Sequence, residues 1–213
     1  EADQTLVLVD GIRIGSATLG TAPWQNIPID LIERVEVVRG PRSSLYGSEA
    51  IGGVIQLFTR ADQGGPLRGR WTVRAGTYGT AAISGGLAGG VDTDYGSGWF
   101  DLGAGFERTE GFNACDGEPF VGGCFVDEPD ADGYDSGNGL ARAGWRFSDQ
   151  LEVGATFLRS VGSVEYDGTL FSGNENDTAL QVASGRIVAR PLDLWTSTLV
   201  FGQSLDYSKI YLD

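Results

Sequence analysis

From residue 67 onward, apolar side chains alternate with small or polar ones at every second position. In residues 99–108, for example, Phe100 and Phe106 fall on one face, whereas Asp101 and Glu107 fall on the other. This period is that of a β-strand with two different faces. The pattern predicts seven successive strands, at residues 67–77, 81–89, 99–108, 140–147, 151–164, 180–190 and 195–211.

The predicted strands are long, and their connections alternate in length. Most have about ten residues, whereas strands of soluble proteins have a mode near 5–6 residues. Short turns at 148–150 and 191–194 alternate with long loops at 110–138 and 167–177. This combination is typical of transmembrane β-barrels. Seven strands cannot close such a barrel, because an open edge in lipid leaves backbone groups unpaired, so we expect the parent chain to continue past Asp213.

The first 60 residues have a different pattern, with short apolar runs between tight turns. Four of these runs predict strands, at residues 5–10, 12–14, 34–40 and 53–60. Pro28 opens a predicted helical turn, with Asp30 and Glu33 in its first positions. Residues 15–26 predict an exposed loop, since they are rich in Gly, Ser, Thr and Pro. Together these elements indicate a compact α+β unit.

The composition excludes several classes of function. The 213 residues include 34 Gly and no His, and the formal net charge is −14. Without His, a Ser-His-Asp triad or an imidazole metal site cannot form, and no nucleophile has an evident base, so we do not expect an enzyme. The negative charge disfavours nucleic acid and anionic membrane surfaces as partners. The hydrophobic fraction of 41% indicates a folded chain rather than a disordered acidic one.

The two cysteines, Cys115 and Cys124, lie in a polar stretch within the first long loop. Their spacing is not Cys-x-x-Cys, and no His is present to complete a zinc site. A disulfide that closes a small surface loop suits the spacing better and implies an oxidising compartment. Two free thiols are the alternative.

The first long loop is also strongly acidic. Residues 110–138 contain eight Asp or Glu and no Lys or Arg. Asp130 and Asp132 stand two positions apart before Gly133, so their carboxylates can converge on one ion in a turning backbone, as calcium sites require. Acids in residues 165–177 add to this charge. Two interpretations follow: a calcium site, or a solvated acidic surface.

One stretch of the chain resembles a known family. Residues 27–60 read IPIDLIERVEVVRGPRSSLYGSEAIGGVIQLFTR, and residues 7–14 read VLVDGIRI. The Arg-Val-Glu strand, Arg-Gly-Pro, Leu-Tyr-Gly and Ala-x-Gly-Gly-Val-Ile resemble, in order and spacing, the C-terminal half of the plug of TonB-dependent outer-membrane receptors. The seven strands are similar to the start of the 22-stranded barrel of that family.

This resemblance implies the fold class and the division of the chain. We expect an α+β plug subdomain followed by antiparallel transmembrane β-barrel strands, about seven of an expected 22, and hence an incomplete barrel. The implied plug part is 1–62, the linker 63–66 and the barrel part 67–213, with extracellular loops at 110–138 and 167–177. The family's TonB box lies outside this sequence, so we expect the TonB energising complex to bind another part of the parent protein.

The implied function is active import of a large, scarce nutrient by a monomer embedded in the lipid of the bacterial outer membrane. Among these receptors, VLVDGIRI, RVEVVRGPRSSLYGSEAIGGV and DADGY are similar to those that carry cobalamin. An iron–siderophore receptor is an alternative with the same scaffold. A calcium-binding β adhesin or lectin is a second alternative, of a different class.

The resemblance also implies site residues. In cobalamin receptors the matching loops bind calcium, and the corresponding positions here are Asn113, Asp130, Asp132, Tyr166, Asp167 and Asp177. At Asn113 the family pattern has an Asp, so that ligand would be uncharged. The plug–barrel docking positions are Glu36, Arg39 and Arg42, expected to form an ion-pair network. The plug apex, residues 15–26, is expected to face the nutrient through Ser16, Thr18, Leu19 and Thr21.

Overall fold

A computed structural model describes residues 5–16, 21–61, 64–113, 130–167 and 173–211, and these form two β-sheets. The four-stranded sheet contains β1 (Thr5–Val9), β2 (Ile12–Ile14), β3 (Ile32–Arg39) and β4 (Gly53–Thr59). Its order is β2-β1-β4-β3, with β1 parallel to β4 and the other pairs antiparallel. β1 lies inside the sheet and is covered on both faces, which explains why Leu6–Val9 are apolar without alternation.

Three short helical segments connect these strands. They are two 3-10 turns, Trp24–Asn26 and Ile29–Leu31, and the helix α1, Ser43–Tyr46. The turn predicted after Pro28 is confirmed, but the expected place of Glu33 in it was wrong. Glu33 lies in β3, which starts at Ile32 because that residue pairs with Thr59.

The seven-stranded sheet confirms the seven predicted strands. Its strands are consecutive antiparallel neighbours: β5 (Arg68–Ala75), β6 (Ala81–Thr93), β7 (Gly96–Thr109), β8 (Tyr134–Ser148), β9 (Leu151–Glu165), β10 (Glu175–Leu192) and β11 (Trp195–Tyr211). The sheet is open, with β5 and β11 at its edges. Both β8 and β10 begin inside segments predicted as loops, because Tyr134 pairs with Thr109 and Val164, and Glu175 pairs with Glu165 and Tyr211.

The two faces of the seven-stranded sheet have different surroundings. The inner face packs on the four-stranded sheet in one core, where Leu140, Leu158 and Leu180 meet Val9 and Leu31. The alternate positions form the outer face, which turns away from the four-stranded sheet and carries large exposed apolar side chains: Trp71, Ile83, Phe106, Phe157, Leu199, Phe201 and Leu205. Such an apolar surface is uncommon on proteins in water and is typical of the lipid-facing band of a membrane barrel. Among the described residues, no helix is long and apolar enough to cross a membrane.

Candidate functional site

A buried ion pair joins the two sheets where β1 ends. Asp10 and Gly11 have positive φ angles, 49° and 84°, and form the tight turn into β2 that the Asp-Gly pair predicts. The Asp10 carboxylate accepts hydrogen bonds from the Thr59 amide (3.0 Å), the Thr59 hydroxyl (2.6 Å) and Arg142 Nη2 (2.6 Å). Arg142 Nη2 also donates to the Thr59 hydroxyl at 2.8 Å. We call Asp10, Thr59 and Arg142 the Asp10 cluster.

The Asp10 cluster is nearly closed to solvent. The side chains of Asp10 and Arg142 are 13% and 11% exposed, and Thr59 is 1% exposed. A buried carboxylate that loses its cation keeps most of its desolvation penalty, so breaking such a pair costs about 3–5 kcal/mol. The cluster therefore links the ends of β1 and β4 to β8, and losing only one of its two charged residues should be costly.

Two further polar contacts hold the segments around the 3-10 turns against the seven-stranded sheet. Thr178 donates from its hydroxyl to Asn26 Oδ1 at 2.6 Å, and both residues are buried. Arg74 pairs with Asp30 and, at 3.1 Å, with Glu107. Because the Arg74 side chain is 48% exposed, solvent screens its ion pairs. They therefore contribute less to the docking of the sheets than the buried Thr178–Asn26 hydrogen bond does.

A cavity of about 500 Å³ lies between the sheets beside the Asp10 cluster. The four-stranded sheet lines it with Arg34 and Phe58, and the seven-stranded sheet lines it with Trp99, Glu152 and Arg186. Glu152 is buried and paired with Arg146 at 3.0 Å and with Arg186 at 3.7 Å. The sheets are thus in apolar contact over one region and separated by a charged space over another.

The apex residues predicted to face the nutrient are only partly described. Ser16 is buried, with 7% of its surface exposed, and its amide donates to the Thr21 carbonyl at 2.9 Å. Asn26 is buried at the other end of the segment, so the prediction of a uniformly exposed loop at 15–26 was wrong there. Asn26 is buried where it contacts Thr178 of the seven-stranded sheet. Thr18 and Leu19 lie outside the described residues, as do Cys115 and Cys124, so their predicted roles stay predictions.

Two of the three predicted docking residues, Glu36 and Arg39, lie in β3, and Arg42 immediately precedes α1. Glu36, Arg39 and Arg42 are all exposed, and Glu36 pairs with Arg34 of the same strand at 2.7 Å. The polar contacts to the seven-stranded sheet come instead from Asp10, Asp30 and Asn26. A docking role for the three charged residues stays a prediction.

The predicted calcium residues lie at the ends of two neighbouring hairpins. Asn113 follows β7, Asp130 and Asp132 precede β8, and Tyr166 and Asp167 follow β9. The Asp132 amide donates to the Phe112 carbonyl at 3.3 Å, and the Tyr166 amide donates to the Asn174 carbonyl at 2.8 Å. Each hairpin end is therefore closed by its own backbone contacts.

Asp177 differs from the other predicted ligands. It lies inside β10 rather than in a loop, paired in register with Ser163 and Lys209. Within the described ranges, no three Asp or Glu side chains are close enough together to hold a metal ion. The candidate residues share one end of the sheet, and their role as calcium ligands stays a prediction.

Sequence reasoning did not single out the members of the Asp10 cluster as site residues. The signal that existed was Arg142, a cation on the inner face of its strand beside Leu140 and Gly144. Its partner could not be inferred, because Asp10 lies 132 positions earlier in the chain.

Comparison with known proteins supports the resemblance. Residues 1–54 match the family model described as TonB-dependent Receptor Plug Domain. The chain is 38% identical over 162 residues to the vitamin B12 transporter BtuB of Photobacterium profundum, an alignment of 76% of this chain and 25% of that protein. It is 36% identical over 174 residues to BtuB of Vibrio cholerae, covering 79% of this chain and 26% of the relative. The chain thus spans about a quarter of the length of these relatives.

Solved structures agree on the fold. The siderophore receptor PirA of Acinetobacter baumannii superposes with a TM-score of 0.75 at 21% identity, over 98% of this chain and 33% of that one. A mutant of the ferric enterobactin receptor PfeA of Pseudomonas aeruginosa gives 0.72 at 21% identity, over 96% and 33%. At this identity the likeness concerns the fold alone. In sequence and in architecture, the chain is confirmed as similar to the TonB-dependent receptors, with a part of their plug followed by a part of their barrel.

Proposed function

We propose that this chain forms part of the plug and part of the barrel wall of a monomeric receptor. This receptor would import cobalamin across the bacterial outer membrane, with energy supplied through TonB. The observation that carries the proposal is the sequence similarity to vitamin B12 transporters, which continues from the plug into the strands. In this proposal residues 1–62 are plug, 63–66 are linker and 67–213 are wall. The relatives are named as transporters and receptors, so the proposed activity is transport and not catalysis.

The contacts between the sheets indicate how the plug segment would be held and released. The apolar core and the Asp10 cluster oppose separation, whereas the charged cavity beside them reduces the area of dry contact. A pull on the plug from the periplasm would have to break the Asp10–Arg142 pair or move both residues together. The Asp10 cluster is therefore the expected point of resistance in the proposed transport cycle.

Cobalamin binding by the full-length parent protein tests the proposal. Isothermal titration calorimetry would be run with calcium and then with a chelator present. Tight binding supports the cobalamin receptor, and weaker binding with the chelator also supports the calcium-ordered loops. If the chelator does not change the affinity, the result supports cobalamin as the nutrient and contradicts the calcium-ordered loops. If no cobalamin binds in either condition, the proposed nutrient is wrong, and a ferric siderophore is the next ligand to titrate.

We also propose that calcium orders the two hairpin ends, through the acids at residues 130, 132 and 167. Replacing Asp130 and Asp132 together by Ala should abolish any calcium-dependent protection of residues 130–134 and 165–167 in hydrogen–deuterium exchange, because two charged ligands are lost. A matched control is the pair Asp92→Ala and Asp94→Ala, two aspartates of the same spacing at the opposite end of the sheet. If the first pair retains the calcium effect of the parent, the acids are a solvated surface.

A further inference from the structure

A second carboxylate faces Arg142 from the seven-stranded sheet itself. Asp101 of β7 is directly opposite Arg142 of β8 in the register. Directly opposite residues share one face of a sheet, with their Cβ atoms roughly 5 Å apart. Asp101 is buried, with 0% of its surface exposed. Arg142 thus has one carboxylate on the four-stranded sheet, that of Asp10, and a second one on its own sheet.

The contacts of Arg142 within the Asp10 cluster use one of its nitrogens. Nη2 donates to the Asp10 carboxylate at 2.6 Å and to the Thr59 hydroxyl at 2.8 Å. Nε is buried and, among the described residues, has no hydrogen-bond partner. Because a guanidinium carries five N–H donors, Arg142 keeps donors for a second carboxylate while it is bound to the first.

Asp101 already binds one cation of the seven-stranded sheet. Arg70 Nη2 donates to Asp101 Oδ1 at 2.7 Å. Arg70 belongs to β5 and reaches β7 across β6, where Gly86 leaves the path open, since a Cβ there would lie 2.6 Å from Arg70 Cζ. A carboxylate has about four lone-pair sites, so Asp101 can accept hydrogen bonds from Arg70 and Arg142 together.

Other acids of the inner face lie beside other cations. Glu152 is opposite Arg146 in the register and pairs with it at 3.0 Å. Glu107 pairs with Arg74 at 3.1 Å. In the register of β7, β8 and β9, the carboxylate directly opposite Arg142 is therefore that of Asp101.

We propose that Asp101 is a positioning residue for release of the plug, because it takes over Arg142 when Asp10 leaves with the four-stranded sheet. This inference rests on the proposed function, since it requires the two sheets to separate. While the gap between the sheets is too narrow for bulk water, a guanidinium without a carboxylate is costly. With Asp101 opposite Arg142, one ion pair replaces another. The Asp10 cluster then resists the start of the separation without leaving an unpaired cation behind.

Breaking the Arg70–Asp101 pair from its two sides should have opposite effects on plug release. Asp101→Asn removes the second carboxylate, so the separating state loses its ion pair and the sheets should separate less readily. Arg70→Gln removes the competing cation, so Asp101 attracts Arg142 more strongly and the sheets should separate more readily. If Asp101 only holds the seven-stranded sheet together through Arg70, the two variants should behave alike.

Hydrogen–deuterium exchange of the Thr59 amide in the full-length parent protein measures the separation, because this amide donates to Asp10 Oδ1 at 3.0 Å. Compared with the parent, we expect roughly fivefold slower exchange in Asp101→Asn and roughly fivefold faster exchange in Arg70→Gln. In the Arg142→Leu background both changes should vanish, because the shared guanidinium is gone. Unchanged rates, changes in the same direction, or changes that persist without Arg142 overturn the proposal.

A second comparison decides the question if Asp101→Asn does not fold, as its buried position makes conceivable. Arg70 is 32% exposed, so Arg70→Gln is the milder change. Faster Thr59 exchange in Arg70→Gln only when Arg142 is present supports the proposal, and the same rate with and without Arg70 contradicts it. Arg13→Gln is the matched control, an equal change of charge at an exposed pair on the four-stranded sheet, and should leave the Thr59 amide unchanged.

Cobalamin titration of the same samples distinguishes this proposal from the proposed function. The exchange measurement needs no nutrient, so opposite effects of the two variants support the role of Asp101 even if the parent binds no cobalamin. That result would reject the proposed nutrient alone. Cobalamin binding together with effects in the same direction keeps the nutrient and rejects the role of Asp101.

Discussion

Replacing Arg142 with Leu should destabilise the docking of the four-stranded sheet by about 3–5 kcal/mol, because the Asp10 carboxylate would remain buried without its cation. The expected signature is faster hydrogen exchange of the Thr59 amide, which donates to Asp10 Oδ1 at 3.0 Å. Chemical denaturation of the full-length protein, followed by exchange at single-residue resolution, would measure both effects. The strands that do not contact Asp10, such as β6 and β7, should keep their protection.

Two controls make the Arg142 experiment decisive. Arg13→Gln breaks the exposed Arg13–Glu49 pair, whose side chains are 61% and 45% exposed, and should cost less than about 1 kcal/mol. Asp10→Asn combined with Arg142→Leu removes both charges, so it should recover much of the loss, and Asn accepts the positive φ angle of this position. If Arg142→Leu is no more harmful than Arg13→Gln, the cluster does not hold the sheets together.

Truncating Leu31 to Ala should cost about 2–5 kcal/mol, as expected for a buried Leu whose surroundings relax only in part. Leu31 is 2% exposed and reaches the seven-stranded sheet at Gly103, where a Cβ would lie 2.8 Å from Leu31 Cδ2. Its carbonyl accepts the Arg60 amide at 2.9 Å. The expected result is a lower denaturation midpoint with faster exchange at Arg60.

The neighbouring Ile29 provides the matched control for Leu31. It is in the same 3-10 turn but is 81% exposed, so Ile29→Ala should change stability by less than about 0.5 kcal/mol. Gly103→Ala should be harmful in the parent and better tolerated together with Leu31→Ala, because the smaller side chain leaves room for the added methyl group. Additive costs in the double variant would show that Leu31 does not pack where the structure places it.

The strands could be predicted from sequence because each signal is local. The alternation in β5 to β11 requires only that one face differs from the other, and the Asp10-Gly11 turn requires only two residues that accept positive φ angles. The start of β8 could not be predicted, since Asp135, Ser136 and Gly137 are residue types typical of turns and loops. They are held in a strand by pairing with β7 and β9 on both sides.

The site was less predictable than the fold because its contacts are distant in sequence. Asp10 and Arg142 each have an ordinary local explanation, as a turn residue and as a polar-face residue, and only the packing of the two sheets brings them together. The acidic character of the hairpin ends was evident from composition, but composition does not specify which carboxylates converge. The place of Asp177 within β10 shows this, since pairing on both edges sets its position.

The position of β1 in its sheet determines how the four-stranded sheet would respond to tension. β1 lies between β2 and β4, and its five residues pair with β4 in parallel from Thr5↔Gly53 to Val9↔Leu57. A force applied along the chain at the N-terminal end of β1 would load all of these hydrogen bonds at once, in shear, rather than opening them one after another. β1 would then act as a mechanical clamp, and a strand at the edge, such as β3, would peel away at lower force.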